Sequence, residues 1–309
     1  MTRQNHHASG LPYAMGAYTI WGLLPAYLML VKAVPPVEFV SWRIIFTVPV
    51  CLTLATLRGQ LGEIGRVLRT PRAAGALALS ALLIGGNWMI YIYAIIADHV
   101  YAASLGYYIN PLLNVLTGTL FLGERLGRRQ WLAVALAGLG VAILFAGALS
   151  TLWVSLSLAL TFSSYGLVRK LVPVGPLPGL TVETLLLAGP AIGTIWWQMQ
   201  TPQGIVFAHD LSQGALVSLS GVLTATPLLM FAVAARRMAF SALGFVQFLS
   251  PTLTFILGLT VFHTPLEPVQ LASFVAIWAA IAVFCWDLLA RRSQSAPPAS
   301  PRSSGGPAG

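Results

Sequence analysis

Charge is scarce in this 309-residue chain: charged side chains make up 8 % of it, and only 8 are acidic, against 57 % hydrophobic residues. Such a composition cannot cover a folded surface with water-compatible groups, which excludes a soluble globular domain. Cysteine is also rare. Cys51 and Cys285 stand far apart, with no CxxC pair and no histidine cluster, so neither a disulfide framework nor a metal site is expected. No histidine interrupts an apolar run, and neither HExxH nor a GxSxG paired with a membrane histidine occurs, which weakens intramembrane acid–base catalysis. A Walker motif is absent, so this chain is not expected to drive transport with ATP by itself. Alternating polarity over strand-length segments is missing too, which argues against a membrane β-barrel.

What the chain has is long apolar runs. Ten can be drawn, at 13–31, 37–57, 74–96, 100–121, 130–149, 152–169, 181–200, 214–235, 240–261 and 268–289. About 20 residues at 1.5 Å each cross the hydrocarbon core, so each run suffices for one helix. The net charge of +9 resembles that of a nucleic-acid binder, but its distribution does not. With the N-terminus placed in the cytoplasm, 15 of the 17 cationic residues fall on the inner side, leaving only Lys32 outside and Arg43 within a run. The positive-inside rule then predicts ten crossings with both termini cytoplasmic, and no nucleic-acid partner. The inner arginines, Arg169 among them, read as topology determinants at the lipid headgroups. The first run is too long for a signal peptide and reads as a retained span.

Displacing the chain by 140 residues lays Pro111 over Pro251, Gly118 over Gly258, Leu126 over Leu266 and Gln130 over Gln270. The first helices match at a slightly different offset, with Trp21-Gly22-Leu23 over Tyr165-Gly166-Leu167. Five spans per repeat is an odd number, so the second repeat enters the membrane inverted. Inverted repeats are a transporter construction with a binding site near the midplane. The expected organisation is an N-terminal tail at 1–12, repeats at 13–149 and 150–292, and a disordered Ser/Pro/Gly tail at 293–309.

Ionisable groups inside a membrane are costly and therefore candidates for function. Arg43, about 9 Å below the outer end of its run, either faces a central cavity or pairs with Glu38 or Asp98. Its repeat partner Glu183 is expected near the inner headgroups, with proton coupling as the alternative; inverted topology keeps it from Arg43. Pro111 and Pro251 break helical bonding near the midplane, as kinks or hinges, and bring Asn110, Asn114, Gln247 and Ser250 forward as substrate contacts. Asn87, Trp88, Tyr91 and Tyr107, with Trp21, Tyr108 and Tyr165, lie away from the interfaces, either lining an amphipathic cavity or packing. Gly16, Gly22, Gly85-Gly86 and Gly138-Gly140 read as close-packing positions. Gly123-Glu124-Arg125 ends the fourth run, with Glu124 either structural or a cytoplasmic gate.

The segment YAASLGYYINPLLNVLTGTLFLGERLGRRQWLAV at 101–134, with SSYGLVRKLVP at 163–173 and LTVETLLLAGP at 180–190, resembles the RarD branch of the EamA family, in the drug/metabolite transporter superfamily. The resemblance covers the chain apart from its tails and implies a ten-helix carrier of the inner or plasma membrane. That family's label linked to chloramphenicol sensitivity does not establish a substrate. One departure is that Gly123-Glu124 faces His263-Thr264-Pro265 in the second repeat, which puts in doubt any role needing a carboxylate at both places. The expectation is thus an all-α integral membrane protein without cofactors, exporting small organic metabolites or drugs by alternating access. A membrane enzyme or a non-transporting membrane protein is the alternative. Proton coupling and a homodimer stay open.

Overall fold

The computed structural model describes residues 5–97, 99–145, 152–202, 204–208, 211–263 and 265–294. Of the expected tails, residues 1–4 and 295–309 lie outside the described residues, as do Asp98 and Thr264. The described residues form α1 (Asn5–Leu30), α2 (Pro36–Leu57), α3 (Leu61–Leu68), α4 (Pro71–Ile96), α5 (Val100–Phe121), α6 (Arg128–Phe145), α7 (Leu152–Leu171), α8 (Pro176–Met199), α9 (Leu211–Arg237), α10 (Phe240–Gln247), α11 (Leu249–Thr260) and α12 (Pro268–Gln294). One 3₁₀ turn, Val206–Ala208, precedes α9. Helix is what lipid dictates, because it satisfies backbone donors and acceptors within the segment. Prolines start α2, α4, α8 and α12, where the missing N–H costs nothing.

Seven segments are long and apolar enough to cross a membrane by themselves: Pro36–Leu57, Pro71–Ile96, Arg128–Phe145, Pro176–Met199, Ser212–Arg237, Phe240–Thr260 and Pro268–Asp287. α1, α5 and α7 are not among them. Asn110, Asn114 and three tyrosines dilute α5, and four serines, Arg169 and Lys170 dilute α7.

Three further departures have physical causes. α1 begins at Asn5 and takes in part of the expected tail. α3 lies in the gap between the second and third apolar runs. It is a short helix with Ile64 and Val67 buried and Leu61 and Leu68 exposed, a two-sided pattern suited to a headgroup boundary. The run at 240–261 is split. The Phe248 N–H bonds Phe245 O at 3.3 Å, a tighter turn, and Pro251 leaves the Gln247 carbonyl without its helical donor. α5 stays continuous through Pro111.

Packing joins the first part of the chain to the second throughout. α1 lies against α9 and α11, α2 against α8 and α9, α4 and α5 against α7, α5 against α10, and α6 against α12. Side chains that would separate two backbones are missing at the crossings. A Cβ on Gly244 would stand 2.5 Å from Pro111 O, and one on Gly140 would stand 2.9 Å from Ser273 O. The Ser273 hydroxyl donates to Gly140 O at 2.6 Å across the same crossing. Gly22 and Gly85 also meet neighbours, whereas Gly86 and Gly138 have open space beside them and serve no close approach.

One end of this bundle holds the start of α1, α3, and the α5–α6, α7–α8 and α9–α10 connections, and is rich in arginine. The other end holds the α1–α2 connection and the 3₁₀ turn. Gly244→Val is expected to destabilise the bundle by about 1–3 kcal/mol, as overpacking does. Gly138→Val should leave thermal unfolding in detergent unchanged.

Candidate functional site

A chamber toward the arginine-poor end is built around Arg43. The residue lies seven positions after Pro36 in α2, about 10 Å along the helix. Its Nε donates to Thr224 Oγ1 of α9 at 3.2 Å. Its guanidinium carbon sits 4.7 Å from the centroid of the Trp88 ring on α4, a cation–π distance. Tyr27, Tyr91 and Tyr107, from α1, α4 and α5, stand within electrostatic reach of it. The Tyr91 and Tyr107 rings meet edge to face at 6.5 Å. Tyr107 keeps 48 % of its surface accessible, and Arg43, Trp88 and Tyr91 are half-buried. The open surface these side chains share beside the guanidinium is the chamber.

The expected pairing of Arg43 with Glu38 does not occur. Glu38 is fully buried and accepts from the backbone N–H groups of Val206 and Phe207 at 3.0 and 2.9 Å and from Trp42 Nε1 at 3.3 Å. Asp98, the other expected partner, lies outside the described residues. Among the described residues the ion pair present is Arg169–Glu183, so Arg43 meets no carboxylate there. These residues also contain no cluster of metal ligands.

A polar stripe leads away from the chamber. Tyr107, Asn110 and Asn114 fall at i, i+3 and i+7 on α5 and so share a face. Asn114 Nδ2 donates to Gln247 Oε1 of α10 at 2.6 Å, tying α5 to α10. Asn110 is 2 % exposed and its Oδ1 has no donor. Ser250 is half-buried, and its carbonyl rests against Gly22.

Other flagged residues are structural pins. Asn87 Nδ2 donates to Leu158 O at 2.8 Å and Thr161 Oγ1 at 2.9 Å, fastening α4 to α7. Trp21 and Tyr165 pack with Tyr18, Phe162 and Phe231, and Tyr108 packs on Phe274. Glu183 is enclosed by protein and pairs with a residue other than Arg43. It is 1 % exposed, pairs with Arg169 Nη1 at 3.3 Å and accepts from Ser80 Oγ at 2.6 Å. Arg169 therefore corrects the sequence reading: it is no headgroup arginine but 1 % exposed, with Nη2 on Pro176 O at 2.9 Å. Lys170 and Arg236 nearby donate to carbonyls, Lys170 to Ala235 and Met238, Arg236 to Val172 and Val174.

Glu124 closes the arginine-rich end without touching a basic partner. Its carboxylate accepts from Phe240 N at 2.6 Å, Ser241 N at 2.9 Å and Ser241 Oγ at 2.6 Å, so it caps the start of α10 from the α5–α6 connection. Thr224 and Tyr27 were missed by sequence reasoning. Each is one of several hydroxyls in an apolar helix, and only the packing of the bundle, which brings them to Arg43, gives them a role.

The profile of the EamA-like transporter family matches residues 8–146. Protein RarD of Streptomyces exfoliatus is 40 % identical over 96 % of this chain and 94 % of its own length. This chain belongs to the RarD branch of the EamA transporter family. Protein RarD of Escherichia coli is 38 % identical, covering 91 % of this chain and 95 % of its own. A protein named chloramphenicol-sensitive protein RarD, from Pseudomonas aeruginosa, is 27 % identical over 90 % and 94 %. One crystal structure superposes with a TM-score of 0.72 over 92 % of this chain and 99 % of that one; at 21 % identity it bears on the fold alone. Family membership and the apolar helices make this a multi-pass membrane protein, in a bacterial cell of the inner membrane, and a transporter by class.

The buried pair yields a prediction. Glu183→Gln or Arg169→Gln alone is expected to cost about 3–5 kcal/mol, because each leaves an uncompensated buried charge. The double substitution should cost much less than the sum, as read from thermal unfolding of the purified protein.

Proposed function

We propose that this protein is a secondary carrier that exports small organic molecules by alternating access between two inverted five-helix repeats, with ten crossings and both termini cytoplasmic. The observation that carries the reading is the helix pairing. Exchange α1 with α7, α2 with α8, α4 with α9, α5 with α10–α11, and α6 with α12. The α1–α9 contact then becomes α7–α4, α1–α11 becomes α7–α5, and α2–α8, α5–α10 and α6–α12 return to themselves. A second sign is conformational. Gly123 and His263, 140 residues apart, both turn left-handed just after their helices, at φ 64° and 50°. Histidine in that region is uncommon, and it tolerates the place where the first repeat uses glycine.

Two such halves can exchange roles, which gives two states of opposite access. In the conformation described, the chamber lies toward the arginine-poor end, which the positive-inside rule makes the outer one. At the inner end Glu124 holds α10, and Gly244 brings α10 onto Pro111. The joint at Phe248 and Pro251 supplies a hinge for α10 against α11. Asn110 supports a second state, since its unpaired Oδ1 costs about 1–3 kcal/mol that exposure to water would relieve. Coupling to protons through Glu183 would require its pair with Arg169 to open.

Flux into proteoliposomes from a panel of amino acids, organic acids and aromatic drugs tests the carrier reading: saturable transport of one class supports it, and none from folded protein removes it. For the gate, Glu124→Gln should raise the reactivity of an Asn114→Cys variant toward an impermeant maleimide on the cytoplasmic side. A tenfold rise is expected, the equivalent of about 1.4 kcal/mol out of a charge-assisted bond. Unchanged reactivity would reduce Glu124 to a helix cap.

A further inference from the structure

Resting on that carrier reading, we infer that the Arg43 chamber takes the anionic group of an organic acid whose flat apolar body lies along Tyr91 and Tyr107, and that each turnover carries one negative charge across the membrane. The argument begins with which donors are occupied. Arg43 offers five N–H donors in a fork. Thr224 accepts from Nε, and the guanidinium rests on Trp88. Among the described residues no acceptor meets the two terminal nitrogens. They are not sealed in either: Arg169 appears among the buried atoms without partners, and Arg43 does not. The fork is held in position by one bond and one ring, with its bidentate edge left over.

Charge points the same way. A guanidinium about 10 Å inside a membrane helix is stable only against water or a counter-ion. The nearest carboxylate on its own helix, Glu38, is committed to Val206, Phe207 and Trp42. Counting the described residues, the chamber is therefore positive when empty and neutral when it holds a monoanion. Carboxylate, sulfonate and phosphonate oxygens match the fork in geometry and sign. A quaternary or primary ammonium meets repulsion from Arg43, which also occupies the Trp88 face that would otherwise attract it. The remaining wall is aromatic: Tyr107, 48 % accessible, and Tyr91 at 6.5 Å from it, set edge to face, form a surface for a planar body.

Among the described residues no titratable carboxylate faces Arg43 to move a compensating proton, since Glu183 belongs to the Arg169 pair and Glu38 to the 3₁₀ turn. A monoanion then crosses with its charge uncompensated. An interior-negative potential of 100 mV would favour it outside by about fiftyfold, so export needs no coupling ion.

The test uses the full-length protein in proteoliposomes with three probes of one shape: benzenesulfonate, benzenesulfonamide and trimethylanilinium. Benzenesulfonate remains ionised, so it cannot leak across as a neutral acid. A potassium gradient with valinomycin sets the potential. Saturable benzenesulfonate flux toward the positive side, rising with the potential and falling at least tenfold in Arg43→Gln, is the expected result. Should Arg43→Gln fold poorly, quenching of tryptophan fluorescence by benzenesulfonate in the wild-type protein, absent with trimethylanilinium, supports the site independently. Saturable flux of the amide or the cation with none of the sulfonate would overturn the substrate class and leave the carrier reading intact. Sulfonate flux indifferent to the potential would overturn the charge movement. Quenching by sulfonate without flux of any probe would keep the anion site and overturn the carrier reading.

Discussion

In a bilayer every polar group must find its partner within the bundle, and the arrangement of this protein follows from that requirement. Asn87 pins α4 to α7, Ser273 reaches across a glycine crossing, Glu38 holds the 3₁₀ turn, and Arg169 and Glu183 neutralise each other. Satisfaction is not complete, and two places matter most. Arg43 on α2 has donors to spare, and Asn110 and Asn114 on the polar face of α5 each have an acceptor to spare.

Segments aligned at the 140-residue spacing use the same parts to different ends. Pro251 accompanies a break between α10 and α11, while Pro111 sits in an uninterrupted α5. The difference has a local cause. Glu124 fixes the start of α10 by three bonds, and Gly244 lets α10 lie directly on the backbone of α5, so the short helix follows α5 rather than α11.

Much of this was legible in the sequence because lipid writes a coarse code. Run lengths and the arginine distribution marked the helices and the two ends of the bundle, and the 140-residue spacing aligned Pro111 with Pro251 before any contact was known. Arg43 stood out as the one cation within a run. What stayed hidden depends on which helix turns toward which. Arg169 looks in sequence like every other inner arginine, and only the approach of α8 puts Glu183 beside it. Asn87 and Trp88 are neighbours in sequence, yet they face opposite duties, a pin and a wall, because successive helical residues point about 100° apart. α3 escaped notice because eight residues carry too few periods to be read.

The Glu124 cap carries a kinetic consequence. The second repeat reads His263-Thr264 where the first has Gly123-Glu124, so a carboxylate stands at this place in one repeat only. On the alternating-access reading, the empty carrier then rests facing outward, and the slow step is its turn back toward the cytoplasm. On the same reading, the cycle is set by how often one carboxylate lets go of a helix end, and a cytoplasmic substrate finds its site only in the intervals when it has.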